Sequence, residues 1–326
     1  ATTRTGAEAH FDFLWLIIIG CVVKVFAQIE LGRHAITNGK TSLAAVNEIP
    51  GPRFRIPIGR RIFEANWFLL FWSVMFVAVL AQQGGIVGGV GQALAISLPL
   101  TEEGAERNHY VSKKIAIELA EEENDIIQIA QLKKELSLLG NPPDSKDDIY
   151  WALIITVLTI LLLIIGKFSL IEKFSIILVA SFTFITIVNL FALQSHEAWA
   201  VQPEEVIRGL SFGFPEIKNG NNPLITAIST FGIIGVGAAE LLAYPYWCIE
   251  KGYGKYVGPW EDNETWLKRA KGWMTVMKWD AWGAMVVYTF CTIAFYLLGA
   301  AILGRSGLLP EGSEMIQTLS TMYEPV

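Results

Sequence analysis

One apolar run of the chain, FGIIGVGAAELLAYPYWCIEKGYG, contains residue types that could bind a cation. Gly232, Gly235 and Gly237 interrupt this run, the carboxylate of Glu240 follows them, and Pro245 then removes a backbone donor. Inside a helix, glycine costs about 1 kcal/mol relative to alanine, and proline costs about 3 kcal/mol. The run therefore predicts a broken helix whose freed carbonyls line a polar site. In a membrane protein, this pattern indicates a transport site.

Glu240 is the strongest single candidate in this run. A carboxylate in hydrocarbon is costly unless it faces a cavity or binds a cation. The alternative is that Glu240 pairs with a lysine or caps one half of the broken helix. We favour a role in an ion path.

Four other polar or charged residues in or beside apolar runs could take part in chemistry. Gln82 and Gln83 lie in a glycine-rich stretch, where they could line an aqueous route or make hydrogen bonds between helices worth about 1 kcal/mol. Lys24 has a long stem that can reach towards the membrane surface, and Glu30 is close to it in sequence. Asp280 precedes the last apolar run, where it predicts a helix N-cap; the alternative is a place in the inner vestibule of the ion path.

The composition narrows the class of protein. Of the 326 residues, 52% are hydrophobic and 17% are charged, which is typical of a chain that crosses a membrane several times. The formal net charge of −6 argues against nucleic acid as a partner, because nucleic-acid binding needs concentrated basic surface. The three cysteines and four histidines lack metal-ligand spacing. The sequence also lacks a catalytic motif and a phosphate loop, so we expect neither an enzyme nor a cofactor.

Apolar runs long enough to span roughly 30 Å of hydrocarbon predict an all-α polytopic membrane protein, with residues 1–326 as a single transmembrane domain. Within it, the stretch 101–148 is acidic and has apolar residues at spacings of three and four. This pattern predicts one amphipathic surface helix that ends at Gly140. The six predicted spans are 11–29, 67–99, 150–166, 174–194, 224–249 and 281–303.

The distribution of charge predicts the orientation of the chain. Lysine and arginine are concentrated in the loops 30–65 and 250–272, whereas the insertion 101–148 is rich in glutamate. The positive-inside rule assigns the basic loops to the cytoplasm and the acidic insertion to the outer side. We therefore expect a multi-pass protein of the plasma membrane, with the lipid bilayer as its surroundings.

Several sequence strings occur in a characteristic order. The first span is followed by ITNGKTSLAAV, the second span is rich in glycine, and GIIG precedes a broken helix that ends in KGYG. This order resembles the Nramp family of divalent-metal transporters over nearly the whole chain outside 101–148. The resemblance implies a LeuT-like fold of inverted repeats. The chain would then be a fragment with family helices 2 to 7 and the start of helix 8, without the helix-1 half of the metal site.

The residues at the broken helix depart from the usual family pattern. The family motif G-A-x-x-M-P-H, aligned without gaps, puts Ala239 in place of the metal-binding methionine and Leu241 in place of the histidine tied to proton movement. This departure is similar to that of Nramp-related magnesium transporters. The metal-binding positions that the resemblance implies are Gly235, Val236, Gly237, Ala239 and Glu240.

These departures predict which ion is transported and whether its transport is coupled to protons. A thioether favours soft transition metals, so its replacement by alanine removes that preference and enlarges the site for a partly hydrated Mg²⁺. We therefore expect import of divalent ions, foremost Mg²⁺ with Mn²⁺ as a further substrate, without proton coupling. The alternatives are a proton-coupled Mn²⁺ or Fe²⁺ carrier, an amino-acid symporter, and a non-transporting scaffold or sensor that works through 101–148.

Overall fold

The computed structural model describes residues 2–122, 126–166, 168–215, 223–310 and 312–323. Within these residues, six helical stretches are long and apolar enough to cross a membrane, which confirms the predicted number of spans. The chain is therefore a helical protein of the polytopic membrane class. The six stretches are Leu14–Asn38, Trp67–Ser97, Asp147–Ile165, Ser169–Leu193, Ala227–Glu250 and Glu264–Gly304.

The described helices and strands follow one another along the chain, and a π-helical turn, Gly299–Gly304, continues the last long helix. In order they are α1 (Thr2–Ala9), α2 (Leu14–Asn38), α3 (Ser42–Val46), β1 (Arg53–Ile58), β2 (Arg61–Asn66), α4 (Trp67–Ser97), α5 (Glu102–Glu122), α6 (Ile126–Leu139), α7 (Asp147–Ile165), α8 (Phe168–Leu193), α9 (Pro203–Gly209), α10 (Pro223–Ile233), α11 (Ala238–Glu250), α12 (Tyr253–Val257), α13 (Glu264–Leu298) and α14 (Met315–Ser320).

The chain divides into two compact units. The first unit comprises 1–16, 83–227 and 291–326, and the second comprises 17–82 and 228–290. The second unit has a core of apolar side chains from α2, α11, α12 and α13, including Val25, Tyr244 and Met277. A Cβ atom at Gly32 of α2 would collide with the side chains of Tyr244 and Met277. Glycine therefore lets α2 approach α11 and α13 closely, as small residues do in membrane helix packing.

The basic segment 30–65 contains structure that the sequence analysis did not predict. Helix α2 continues to Asn38, and β1 and β2 then form an antiparallel hairpin. Gly59, at a φ of +61°, begins the two-residue turn between the strands. The buried Asn66 fixes the end of the hairpin, because its backbone N–H donates to Asn47 Oδ1 at 3.0 Å. This hairpin is an addition to the predicted helical fold class, which the six apolar helices support.

The first unit contains the acidic insertion. The prediction of one amphipathic helix here is wrong, because the described residues form two helices, α5 and α6, that pack against each other. Lys113 pairs with Glu135 at 2.5 Å and Lys133 with Glu121 at 2.6 Å, and residues 123–125 between the helices lie outside the described residues. The predicted end at Gly140 is confirmed, since α6 stops at Leu139 and Gly140 has a φ of +73°.

Candidate cation site at the interrupted helix

The predicted interruption of the glycine-rich helix is confirmed. Helix α10 ends at Ile233, α11 begins at Ala238, and the residues between them are not helical. Gly235 has a φ of +70°, a conformation that other L-residues adopt at a cost. A Cβ atom there would also lie 3.2 Å from Cys21 Cα and 3.2 Å from the ring of Tyr288. Both the backbone conformation and the limited space therefore favour glycine at this position.

The carbonyls freed by the interruption bind the side chain of Lys24. The Lys24 ammonium donates to the backbone oxygen of Gly232 at 3.1 Å and to that of Ile234 at 2.5 Å. The same Nζ atom lies 5.8 Å from the centre of the Phe231 ring, within the range of a cation–π interaction. Because the C-terminal end of a helix carries partial negative charge, the end of α10 stabilises this cation.

This arrangement differs from the expectation for Lys24. The sequence analysis placed Glu30 beside it, but Glu30 Oε2 accepts from Arg33 Nε at 2.8 Å. The Lys24 side chain reaches the interruption, which is about 200 positions away in sequence. An intramolecular cation therefore occupies two carbonyls of the interruption, those of Gly232 and Ile234, next to the positions predicted to bind a metal ion.

Glu240 lies in the first turn of α11, and its exposed carboxylate folds back over the N-terminal end of that helix. A Cβ atom at Gly237, the N-cap residue, would collide with Glu240 Oε2. A carboxylate is favourable at this position, since the N-terminal end of a helix carries partial positive charge. Within the described residues Glu240 forms no ion pair, although its charge interacts through space with that of Lys24.

A cavity of about 250 Å³ adjoins the Glu240 side of the interruption. This volume has room for several water molecules, so an ion could enter with part of its hydration shell. Helix α4 forms one wall, and the two halves of the interrupted helix form the other. The lining residues are Met75, Ala78, Val79, Gln82, Gly232, Ile233, Gly237, Ala238, Ala239 and Glu240.

The structure brings together only some of the predicted site residues. Gly237, Ala239 and Glu240 line the cavity, and Gln82 of α4 faces them across it. The described lining does not include Gln83, the next residue of α4. Gly235 and Val236 form the interruption itself.

Asp280 lies elsewhere in the second unit, and the predicted N-cap is wrong. Helix α13 begins at Glu264, well before Asp280, so Asp280 is an interior residue of a long helix. Its Oδ2 atom accepts from Lys251 Nζ at 3.1 Å and from the hydroxyl of Tyr253 at 3.5 Å. Its charge is thereby neutralised by a lysine, which favours a structural role.

Met75 is a lining residue that the sequence analysis did not single out. Met75 lines the cavity from α4, and it is a thioether residue, unlike Ala239 on the α11 side. Sequence alone gave no signal for it, because a methionine inside an apolar span is ordinary. Thioether sulfur is a soft ligand, so Met75 would matter to the choice among ions if the cavity binds them.

Within the described residues, no group of three or more His, Cys, Asp and Glu side chains lies close enough together to hold a metal ion. A cation in this cavity would therefore depend on one carboxylate, neutral oxygens and water. Comparison of the chain with models of protein families, with curated proteins and with solved structures gives no match.

Proposed function

We propose that this protein is a facilitator that imports divalent metal ions, foremost Mg²⁺, as partly hydrated ions and without proton coupling. The observation that carries the proposal is the Glu240 carboxylate, which faces a cavity at the interruption of a membrane-spanning helix. A charged residue at such a place in a membrane protein usually belongs to an ion path.

The chemistry of the cavity suits a hard and hydrated ion. Mg²⁺ loses its water reluctantly and is usually held by one or two carboxylates with several waters retained. Glu240 and Gln82, two residues with side-chain oxygens, line the cavity, which also has space for water. Neutral oxygens and water complete the coordination, so a cluster of acidic side chains is not needed.

The membrane potential is sufficient to drive this transport. An inside-negative potential contributes about 2.3 kcal/mol per charge for each 100 mV. A divalent ion gains twice that amount on entry, so uptake proceeds without a second ion. In this proposal the loops 30–65 and 250–272 face the cytoplasm, and the insertion 101–148 faces outward.

A second candidate is a carrier of Mn²⁺ or Fe²⁺ coupled to protons, and Met75 favours it. The thioether at the cavity wall would stabilise a soft transition metal more than Mg²⁺. The two candidates differ in the preferred ion and in the fate of protons, so one experiment separates them.

The test is to reconstitute the full-length protein in liposomes and to measure Mg²⁺ and Mn²⁺ uptake while the internal pH is followed. The informative variant is Glu240→Gln, which keeps the shape of the side chain and removes its charge. The matched control is Asp280→Asn, which removes a carboxylate that pairs with Lys251 in the same unit.

We expect Mg²⁺ uptake without internal acidification, a loss of at least about tenfold with Glu240→Gln, and most of the flux retained with Asp280→Asn. Mn²⁺ uptake with acidification and no Mg²⁺ flux would replace the proposal by the second candidate. Equal flux in the wild type and in Glu240→Gln would remove Glu240 from the ion path and overturn the proposed site. Wild-type flux no greater than that of protein-free liposomes would favour the non-transporting scaffold or sensor.

A further inference from the structure

Gly232 takes part in both features of the interruption. Its carbonyl oxygen accepts from the Lys24 ammonium, and the same residue lines the cavity that Glu240 faces. The Lys24 cation and any ion that enters the cavity therefore have a common neighbour.

The charges at this place nearly cancel while Lys24 is bound. The Lys24 ammonium contributes one positive charge and the Glu240 carboxylate one negative charge, and the two interact through space. The positive end of α11 further reduces the attraction of Glu240 for cations. If the ammonium leaves, the carboxylate loses this opposing charge, and the oxygens of Gly232 and Ile234 lose the donor that Lys24 provides. Of these two residues, Gly232 lines the cavity.

We propose that Lys24 is a built-in cation that competes with the transported ion for the carbonyls of the interruption. This inference rests on the proposed function, because it assumes that the cavity binds cations. Lys24 is then a specificity-determining residue: it keeps the resting site close to neutral and excludes ions that bind weakly. An ion binds only where its interaction with Glu240 and the carbonyls exceeds that of the ammonium.

The side chain of Lys24 is suited to this exchange. Lysine carries its charge on a flexible stem of four carbons with rotatable donors, unlike the rigid fork of arginine. The ammonium is held by two hydrogen bonds and an aromatic face, without a direct ion pair to an acidic side chain among the described residues. The ammonium can therefore leave the carbonyls without breaking an ion pair.

Three substitutions of Lys24 test whether it competes with the transported ion or only stabilises the ends of the interrupted helix. Lys24→Gln retains a donor for the carbonyls but removes the charge, Lys24→Met removes both, and Lys24→Arg retains both. Binding of Mg²⁺ and of Mn²⁺ to the purified full-length protein is measured by titration calorimetry. Thermal unfolding and size-exclusion chromatography show which variants remain folded.

We expect Lys24→Gln to bind divalent ions at least about tenfold more tightly than the wild type, because a like charge has been removed from the site. Lys24→Arg keeps the positive charge at the site, so it should not show this gain. Adding Glu240→Gln to Lys24→Gln should abolish the gain, because the carboxylate provides the remaining attraction.

Each outcome decides one or both proposals. Unchanged or weaker binding by a folded Lys24→Gln protein, beside a wild type that binds ions, would overturn the inference and leave the proposed function intact. Tight binding by Lys24→Gln with none by the wild type would support a competing lysine and overturn import by the natural protein. If folded wild type and folded Lys24→Gln both fail to bind, the inference and the proposed function both fail.

Discussion

Two lysine residues of the second unit lie near carboxylates, and they behave differently. Lys251 pairs directly with Asp280 at 3.1 Å. Lys24 donates to two backbone carbonyls, and Glu240 faces a cavity nearby. In the first arrangement the two charges satisfy each other. In the second, the interruption of the helix provides separate partners for each charge.

The difference shows how the interruption of a helix can stabilise two opposite charges separately. A continuous helix uses its carbonyls internally, so a lysine beside it could pair only with an acidic side chain. The interruption exposes the negative end of α10 to Lys24 and the positive end of α11 to Glu240. Each charge is stabilised by a helix end, and the carboxylate stays available to a ligand.

The largest effect is expected from the glycine that keeps the two helix ends apart. Gly235→Ala forces a side chain into a left-handed backbone position and against Cys21, which should destabilise the protein by about 2 kcal/mol or more. Gly232→Ala is the matched control, because a Cβ atom there meets open space within α10. Thermal unfolding in detergent measures both. Equal stabilities would show that the interruption does not depend on Gly235.

A smaller effect is expected from Met75 at the cavity wall. Met75→Leu keeps the volume and removes the thioether, so Mn²⁺ uptake should fall by about three- to tenfold while Mg²⁺ uptake changes little. The measurement is competition of the two ions in the liposome assay. The converse change, Ala239→Met, introduces a thioether on the opposite wall and should raise the preference for Mn²⁺. A fall in the uptake of both ions with Met75→Leu would mean that Met75 serves packing rather than ion choice.

The ion pair between Lys251 and Asp280 should contribute little to the stability of the protein. Asp280 and Lys251 are each about one-third exposed in their side chains, at 37% and 33%. A double-mutant cycle with Lys251→Met and Asp280→Asn should therefore give a coupling energy below about 1 kcal/mol. The cycle is measured as thermal stability in detergent. A coupling energy several times larger would place this pair, rather than the interruption, at the centre of the unit.

The smallest effect is expected from a lysine–glutamate pair that lies outside the six candidate spans. The hydrogen bond from Lys113 lowers the pKa of Glu135 below its ordinary value of 4.5. Its contribution to the stability of the α5–α6 pair is therefore present above pH 4.5 and is lost as the pH falls through the lowered pKa. The hydrogen-exchange protection factors of 102–122 and 126–139, which correct for the intrinsic effect of pH on exchange, should fall only below that pH. Lys113→Met should remove this dependence, whereas an unchanged profile in that variant would assign it to other carboxylates.

Part of the fold could be predicted because its signals are local. The spans follow from apolar runs, and the end of α6 follows from Gly140 before two prolines. The β1–β2 hairpin had a weaker local signal, the alternation in RFRIPI before Gly59, which the basic character of the segment obscured. The division of the insertion into α5 and α6 has no comparable signal, because its apolar spacing continues through both helices.

The sequence by itself determined the spans and the place of the interruption, because hydrophobic length and glycine conformation act within a few residues. Only the tertiary structure decided which groups meet there. Lys24 reaches the carbonyls of Gly232 and Ile234 through packing between helices far apart in sequence, and Met75 joins Glu240 at one cavity in the same way. Such contacts depend on helix register and approach, which no local pattern encodes.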